Sequence, residues 1–126
     1  MAWAPLALEA RAGYSGRMKL EAGNARAILW STIAEVPLGG GAEQGRLREV
    51  DSGAARLRIV EYAPGFRADH WCAKGHALYV IAGQLHIELD DGRRHTLDAG
   101  DSWVVGDGKE QHLTWSEVGA RVFIVD

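Results

Sequence analysis

The sequence predicts an all-β fold, a two-sheet sandwich or small barrel, and three observations carry that prediction. From Arg56 onward apolar residues recur with a period of two, in short runs parted by Gly and Asp. Turn chemistry falls between those runs, as in Asp91-Gly92 and Asp98-Ala99-Gly100-Asp101. Helical periodicity is almost absent from the same stretch. A chain of 126 residues is the length of one domain, and at that size folding buries roughly two thirds of the surface an unfolded chain exposes, so one core suffices.

The elements follow in order. Leu57 to Tyr62 alternates as a strand and is ended by Ala63-Pro64-Gly65. Ala77 to Ile81 is a more continuous apolar run, ended by Ala82-Gly83. Leu85, Ile87 and Leu89 then alternate with His86 and Glu88, Asp91-Gly92 turns the chain, and Arg94 to Leu97 returns as a hairpin. Ser102 to Val105, Gln111 to Ser116 and Arg121 to Val125 complete the set, with a Gly106-Asp107-Gly108 loop between the first two. The beginning of the chain is less patterned. Leu6 to Arg11 has the makings of a short helix, Ala25 to Ile33 suits a helix or a strand, and Pro37 with Gly39-Gly40-Gly41 ends it. Residues 1–25 are expected to form an arm, disordered or packed on a partner chain, and residues 26–126 the domain.

Composition excludes several functions. The net charge of -3 and the scattered basic residues argue against nucleic acid and against an anionic membrane surface. No run of about 18 apolar residues exists to form a membrane-spanning helix. No positively charged residue precedes the apolar start Ala2 to Leu8, which Glu9 and Arg11 then interrupt, so a signal peptide is not expected and the protein is expected to be cytoplasmic. With 1 Cys the chain can form neither an intrachain disulfide nor an all-thiolate zinc knuckle, so a metal site must draw on its 5 His.

Those donors are not spread evenly. Asp69-His70-Trp71-Cys72-Ala73-Lys74-Gly75-His76 places His70, Cys72 and His76 close together between two strand runs. His70 and Cys72 are two apart, so on an extended strand they share a face at about 6.6 Å along the chain. Gly75 permits a tight bend before His76, and His112 follows a Gly-rich loop far along the sequence. Imidazole with thiolate suits one divalent metal ion, zinc most directly and iron, nickel or copper less so. His86 and His95, each alone on an alternating strand, are expected to be ordinary polar residues. Asp69 is expected at the surface or supporting a ligand, and the five Trp are expected in core and rim packing ahead of pocket lining.

The stretch from Gly65 to Gly83, followed by Gly100 to His112, resembles the two sequence motifs of the cupin superfamily. His70 matches the first His of the first motif, Cys72 stands at its second His, His76 at its Glu, and Gly83 closes it. Gly100 and His112 match the second motif, with Gly106 where Pro usually sits. More narrowly, Val60 to Gly65, Ala68 to Cys72, Lys74-Gly75-His76 and the ending Phe123 to Asp126 resemble the small DHCW-motif cupin-fold proteins, and Trp30-Ser31 and the segment near Gly45 fit the start of that group. The resemblance covers about Trp30 to Asp126. It implies a jelly-roll-like barrel of six to eight strands in two sheets, with His70, Cys72, His76 and His112 pointing into its interior, and a homodimer.

The resemblance does not imply a reaction, because the superfamily hosts enzymes, storage proteins and sensors. Three expectations follow. The first is a metalloenzyme, dioxygenase-like, acting on a small-molecule ligand in the barrel. The second is a non-catalytic binding or metal-sensing module, in which the metal fixes the barrel or the ligand. The third makes Cys72 a redox switch that releases metal on oxidation. Exchanging the usual carboxylate for His76 and one His for Cys72 leaves the ligand charge at minus one and softens the site. Four protein ligands close a tetrahedral site, whereas three leave a position open.

Overall fold

In the computed structural model, residues 25–39 and 42–126 are described. Nearly all of the expected arm, with Trp3, the Leu6 to Arg11 helix and part of the Gly39-Gly40-Gly41 loop, lies outside them. Among the described residues there are nine strands: β1 Val36–Pro37, β2 Gly45–Ser52, β3 Ala55–Tyr62, β4 Phe66–Arg67, β5 His76–Leu89, β6 Arg94–Asp98, β7 Ser102–Val105, β8 His112–Ser116 and β9 Ala120–Val125. Two of the nine, β1 and β4, are two residues long. All pairings are antiparallel. One sheet runs β1-β2-β3-β9-β5-β7, and the other runs β6-β5-β8-β4. The fold is the all-β, cupin-type jelly roll that the period-two pattern and the motifs imply.

β5 belongs to both sheets. Its first half pairs with β9 and β7, and its second half with β8 and β6. The sequence reading splits it at Ala82-Gly83, and the structure corrects this to one 14-residue strand. The break in the apolar pattern is a bulge: the register shifts between Val80 and Ala82, and Gly83 takes φ +78°, where a Cβ would collide with the Gly119 carbonyl oxygen. Bulge and glycine together bend the strand from one sheet into the other.

The N-terminal part departs further from expectation. β2 is a full strand that pairs with all of β3, from Gly45↔Tyr62 to Ser52↔Ala55. Of Ala25 to Ile33 only Trp30–Thr32 is helical, as a single 3-10 turn. Leu29 carries the Thr32 hydroxyl and amide on its carbonyl, and no interior face recruits more of the segment into a helix.

The core fills the space between the sheets. In β9 Ala120, Val122 and Ile124 are buried while Arg121 is exposed, the alternation that one inward face requires. Val60, Leu78 and Val80 stand beside them in the same sheet, and Leu85 and Ile87 join them from the other; Val60, Val80 and Ile87 have no exposed surface. Each side chain buried so fully contributes about 1.5–3 kcal/mol relative to exposure. This packing holds the two halves of β5 at a fixed angle, which positions what hangs from its ends.

Candidate metal centre

Cys72 and His112 are joined by backbone before their side chains are considered. The Cys72 amide donates to the His112 carbonyl at 2.9 Å, and the His112 amide donates back at 3.0 Å. Residues that exchange both bonds stand directly opposite each other with side chains on one face. His112 is also the first residue of β8, across from Leu89 at the far end of β5, while His76 is the first residue of β5. The bend at Gly83 therefore brings the two ends of one strand to a common site.

At that site His76 Nε2 lies 3.0 Å from His112 Nε2 and 3.8 Å from Cys72 Sγ. One ligand atom from each of the three falls within 4.8 Å of the others. Around a tetrahedral zinc, with Zn–N about 2.0–2.1 Å and Zn–S about 2.3 Å, adjacent donors are roughly 3.3 Å (N···N) and 3.5 Å (N···S) apart. These two separations lie within about 0.3 Å of those values, and the third pair, Cys72 with His112, lies within 4.8 Å.

Protonation favours the same role. His76 Nδ1 is 3.1 Å from Asp126 Oδ2. An ionised carboxylate only accepts, so Nδ1 carries the proton and Nε2 offers its lone pair to the cluster. Burial and the neighbouring His112 lower the His76 pKa, and the Asp126 hydrogen bond opposes them only in part. Burial also lowers that of His112; the Glu110 backbone acts the other way, although His112 Nδ1 makes no well-formed hydrogen bond. Both rings are neutral near pH 7, the state in which imidazole binds metal.

Asp126 was not singled out by sequence. Its side chain is fully buried, and it accepts from Arg56 at 3.0 and 3.2 Å and from Arg58 at 2.7 Å, with Lys74 Nζ 3.8 Å away. Burial alone would raise its pKa; the Arg56 hydrogen bonds and the charges of Arg58, Arg56 and Lys74 outweigh that and hold it at about 2. Fifty residues separate Asp126 from His76, so no local spacing signals the pair. Asp69 does not take this supporting place. It is exposed and engages His70 instead, Oδ1 to Nδ1 at 2.6 Å.

His70 lies apart from the cluster. Its side chain is 76% exposed, at the rim of the same cavity of about 290 Å³ that Cys72, His76 and His112 line. Lys74-Gly75-His76 is anchored from below: the Gly75 amide donates to Asp107 Oδ1 at 2.7 Å, and a Cβ at Gly75 would press on the Asp107 backbone. Trp103, expected in packing, also lines the cavity and meets His112 edge to face with centroids 5.1 Å apart. Trp30 packs edge-on against Phe123. His86 bonds Thr96 and stacks on Trp115, and His95 is exposed, both as ordinary polar residues.

Two sheets that share one bent strand are the architecture of the cupin class of protein, and here a Cys/His cluster sits between the ends of that strand. The EutQ-like cupin domain model matches residues 50–122, and the chain belongs to that family. No curated protein matches the sequence. Among solved structures, an RmlC-like cupin from Shewanella frigidimarina is 15% identical with a TM-score of 0.65, over 86% of this chain and 92% of that one. The polyketide cyclase RemF from Streptomyces resistomycificus is 20% identical with a TM-score of 0.65, over 81% and 78%. Oxalate decarboxylase from Lactobacillus farciminis, as its formate complex, is 20% identical with a TM-score of 0.62, over 83% of this chain and 34% of that one. At such identities the likeness is one of fold. Among the described residues, no helix is long and apolar enough to cross a membrane.

Proposed function

We propose that this cupin holds one divalent metal ion through Cys72, His76 and His112 and uses it as a metalloenzyme on a small molecule bound in the adjoining cavity. The observation that carries the reading is the convergence of these three donors beside a cavity of about 290 Å³. A shell of three protein ligands leaves a position for substrate or water, as catalytic sites do. When bound, such an ion supplies Lewis acidity toward a coordinated oxygen. The chain's own residues do the rest. Asp126 fixes the His76 ring and its tautomer, and Trp103 walls the site against solvent. Thiolate with two imidazoles suits zinc most directly, with iron, nickel and copper as the other candidates.

A second reading rests on His70, which lines the same cavity and is tied only to exposed Asp69. Swung inward, it would complete a closed four-ligand site, and the protein would be a metal-stabilised binding or sensing module. Elemental analysis of tag-free protein, with absorption spectroscopy of a cobalt-substituted sample, separates the two. One metal per chain with an exchangeable position supports the enzyme reading; four protein ligands count for the module. Full metal occupancy in both Cys72→Ser and His112→Ala would sink the site altogether.

A further inference from the structure

The cavity's charge is lopsided. Arg56, Arg58 and Lys74 line it, and no carboxylate does. Asp126 lies behind these cations and is fully covered by them. Arg56 is engaged at all three of its nitrogens, its two bonds to Asp126 supplemented by one to Glu49 at 3.3 Å. Arg58 and Lys74 are not fully engaged. Arg58 gives one guanidinium nitrogen to Asp126, while its Nε is buried with no partner. Lys74 Nζ stands 3.8 Å from the nearest Asp126 oxygen, beyond hydrogen-bond range. The Arg58 Nε is closed off from the cavity, so a ligand meets Arg58 through the rest of its guanidinium, the side chain keeping 16% of its surface exposed. Counting side chains alone, three cations face two carboxylates. Cys72 would ligate a metal as its thiolate, and the charge of a divalent ion bound there would exceed that of the thiolate.

Apart from the three His and Thr114, the remaining lining is apolar and aromatic, chiefly Tyr62, Phe66, Leu78, Leu85, Trp103 and Ile124. Convergent polar groups beside apolar walls are the make-up of a small-molecule site. A cavity of about 290 Å³, at roughly 30 Å³ per water-sized group, admits a ligand of about ten non-hydrogen atoms.

We propose that the ligand is a small organic carboxylate, its head group accepting from the Arg58 guanidinium and from Lys74 Nζ and its apolar body lodged against Leu78, Leu85, Trp103 and Ile124. This rests on the reading of the cavity as a small-molecule site, and it assigns to Arg58 and Lys74 a binding role independent of the metal ligands.

Calorimetric titration tests it with benzoate and hexanoate as probes, benzamide as the neutral counterpart of benzoate, and inorganic phosphate as an anion lacking an apolar body. At least one carboxylate should bind, benzamide and phosphate more weakly or not at all. Lys74→Gln, at a half-exposed side chain that the fold tolerates, and Arg58→Lys, which keeps the charge toward Asp126, should each raise the Kd roughly tenfold, with the thermal midpoint of each variant recorded as the check on folding. The Cys72→Ser variant keeps the two failures distinct. Carboxylate binding retained there, with metal lost, supports the cation site. Binding lost with the metal assigns the anion to the metal and overturns the proposal, leaving the metal site intact. Benzamide or phosphate equal to benzoate, or no carboxylate tighter than about 1 mM, also overturns it.

Discussion

Asp126 Oδ2 accepts from His76 Nδ1 at 3.1 Å, and the same carboxylate is the convergence point of Arg56, Arg58 and Lys74. One residue therefore orients a metal-type ligand and gathers the basic wall of the cavity. Asp126→Asn removes the charge while keeping the size. It should weaken metal binding by roughly 10–100-fold, the usual effect of losing a ligand's supporting partner. It should also cost about 1–3 kcal/mol of stability, less than a wholly buried pair because Arg56 remains one-third exposed. Chelator competition reads the first effect and urea unfolding the second. A variant destabilised but unchanged in metal affinity would show Asp126 to be structural only.

Acid should unfold the metal-free protein in two stages. His76 and His112 have folded pKa values below the ordinary 6.5, so protonation costs more in the folded than in the unfolded chain. Their contribution is complete above 6.5 and is lost as pH falls below it. Asp126, lowered from 3.8 to about 2, contributes fully above 3.8, and that contribution is lost as pH falls from there through about 2. Urea midpoints from pH 8 to pH 2 should show a decline beginning near 6.5 and a second below 4. A flat profile between pH 7 and pH 5 would contradict neutral, buried imidazoles.

The strands after Arg56 were legible because one face of each is buried and the other wet, which imprints a period of two. β2 was not. Its Arg46, Arg48, Glu49 and Asp51 make the segment look like a solvated loop, yet Arg46 and Arg48 pair with Glu35 and the backbone pairs with β3 throughout. Ala82-Gly83 reads as a turn for a related reason: a glycine in a bulge has the same composition as a glycine in a turn, and only the neighbouring Gly119 distinguishes them. At the site, Cys72, His76 and His112 were marked by donor spacing and motif. Asp126 entered only as the end of the Phe123 to Asp126 resemblance, with no role assigned, and Arg56 and Arg58 carried no mark, since charged residues on a strand usually face water and nothing local says that these three face one another.

Two glycines should respond differently to alanine. Gly83→Ala places a Cβ against Gly119 at φ +78° and should destabilise the whole domain by about 2–4 kcal/mol, from backbone strain and a clash that core strands cannot relieve. Gly75 has no positive φ, and its Cβ would meet the Asp107 side chain and the start of a loop. Gly75→Ala should therefore disturb the placing of His76 more than the fold. Unfolding curves and metal content on both variants give the comparison, and equal global destabilisation would contradict it.

His70 decides how many side chains the metal uses. Its ring is 76% exposed and bound only to Asp69, and ordering it inward would require breaking that 2.6 Å contact and fixing a free side chain. With three donors already converged, the fourth adds little unless the ion demands closure. His70→Ala should thus keep metal affinity within a few-fold of the unsubstituted protein, whereas His76→Ala and His112→Ala should abolish tight binding. Competition with a chromogenic chelator measures all three on one scale. A loss in His70→Ala matching that in His76→Ala would place His70 in the coordination shell and shift the balance from an open, catalytic site to a closed one.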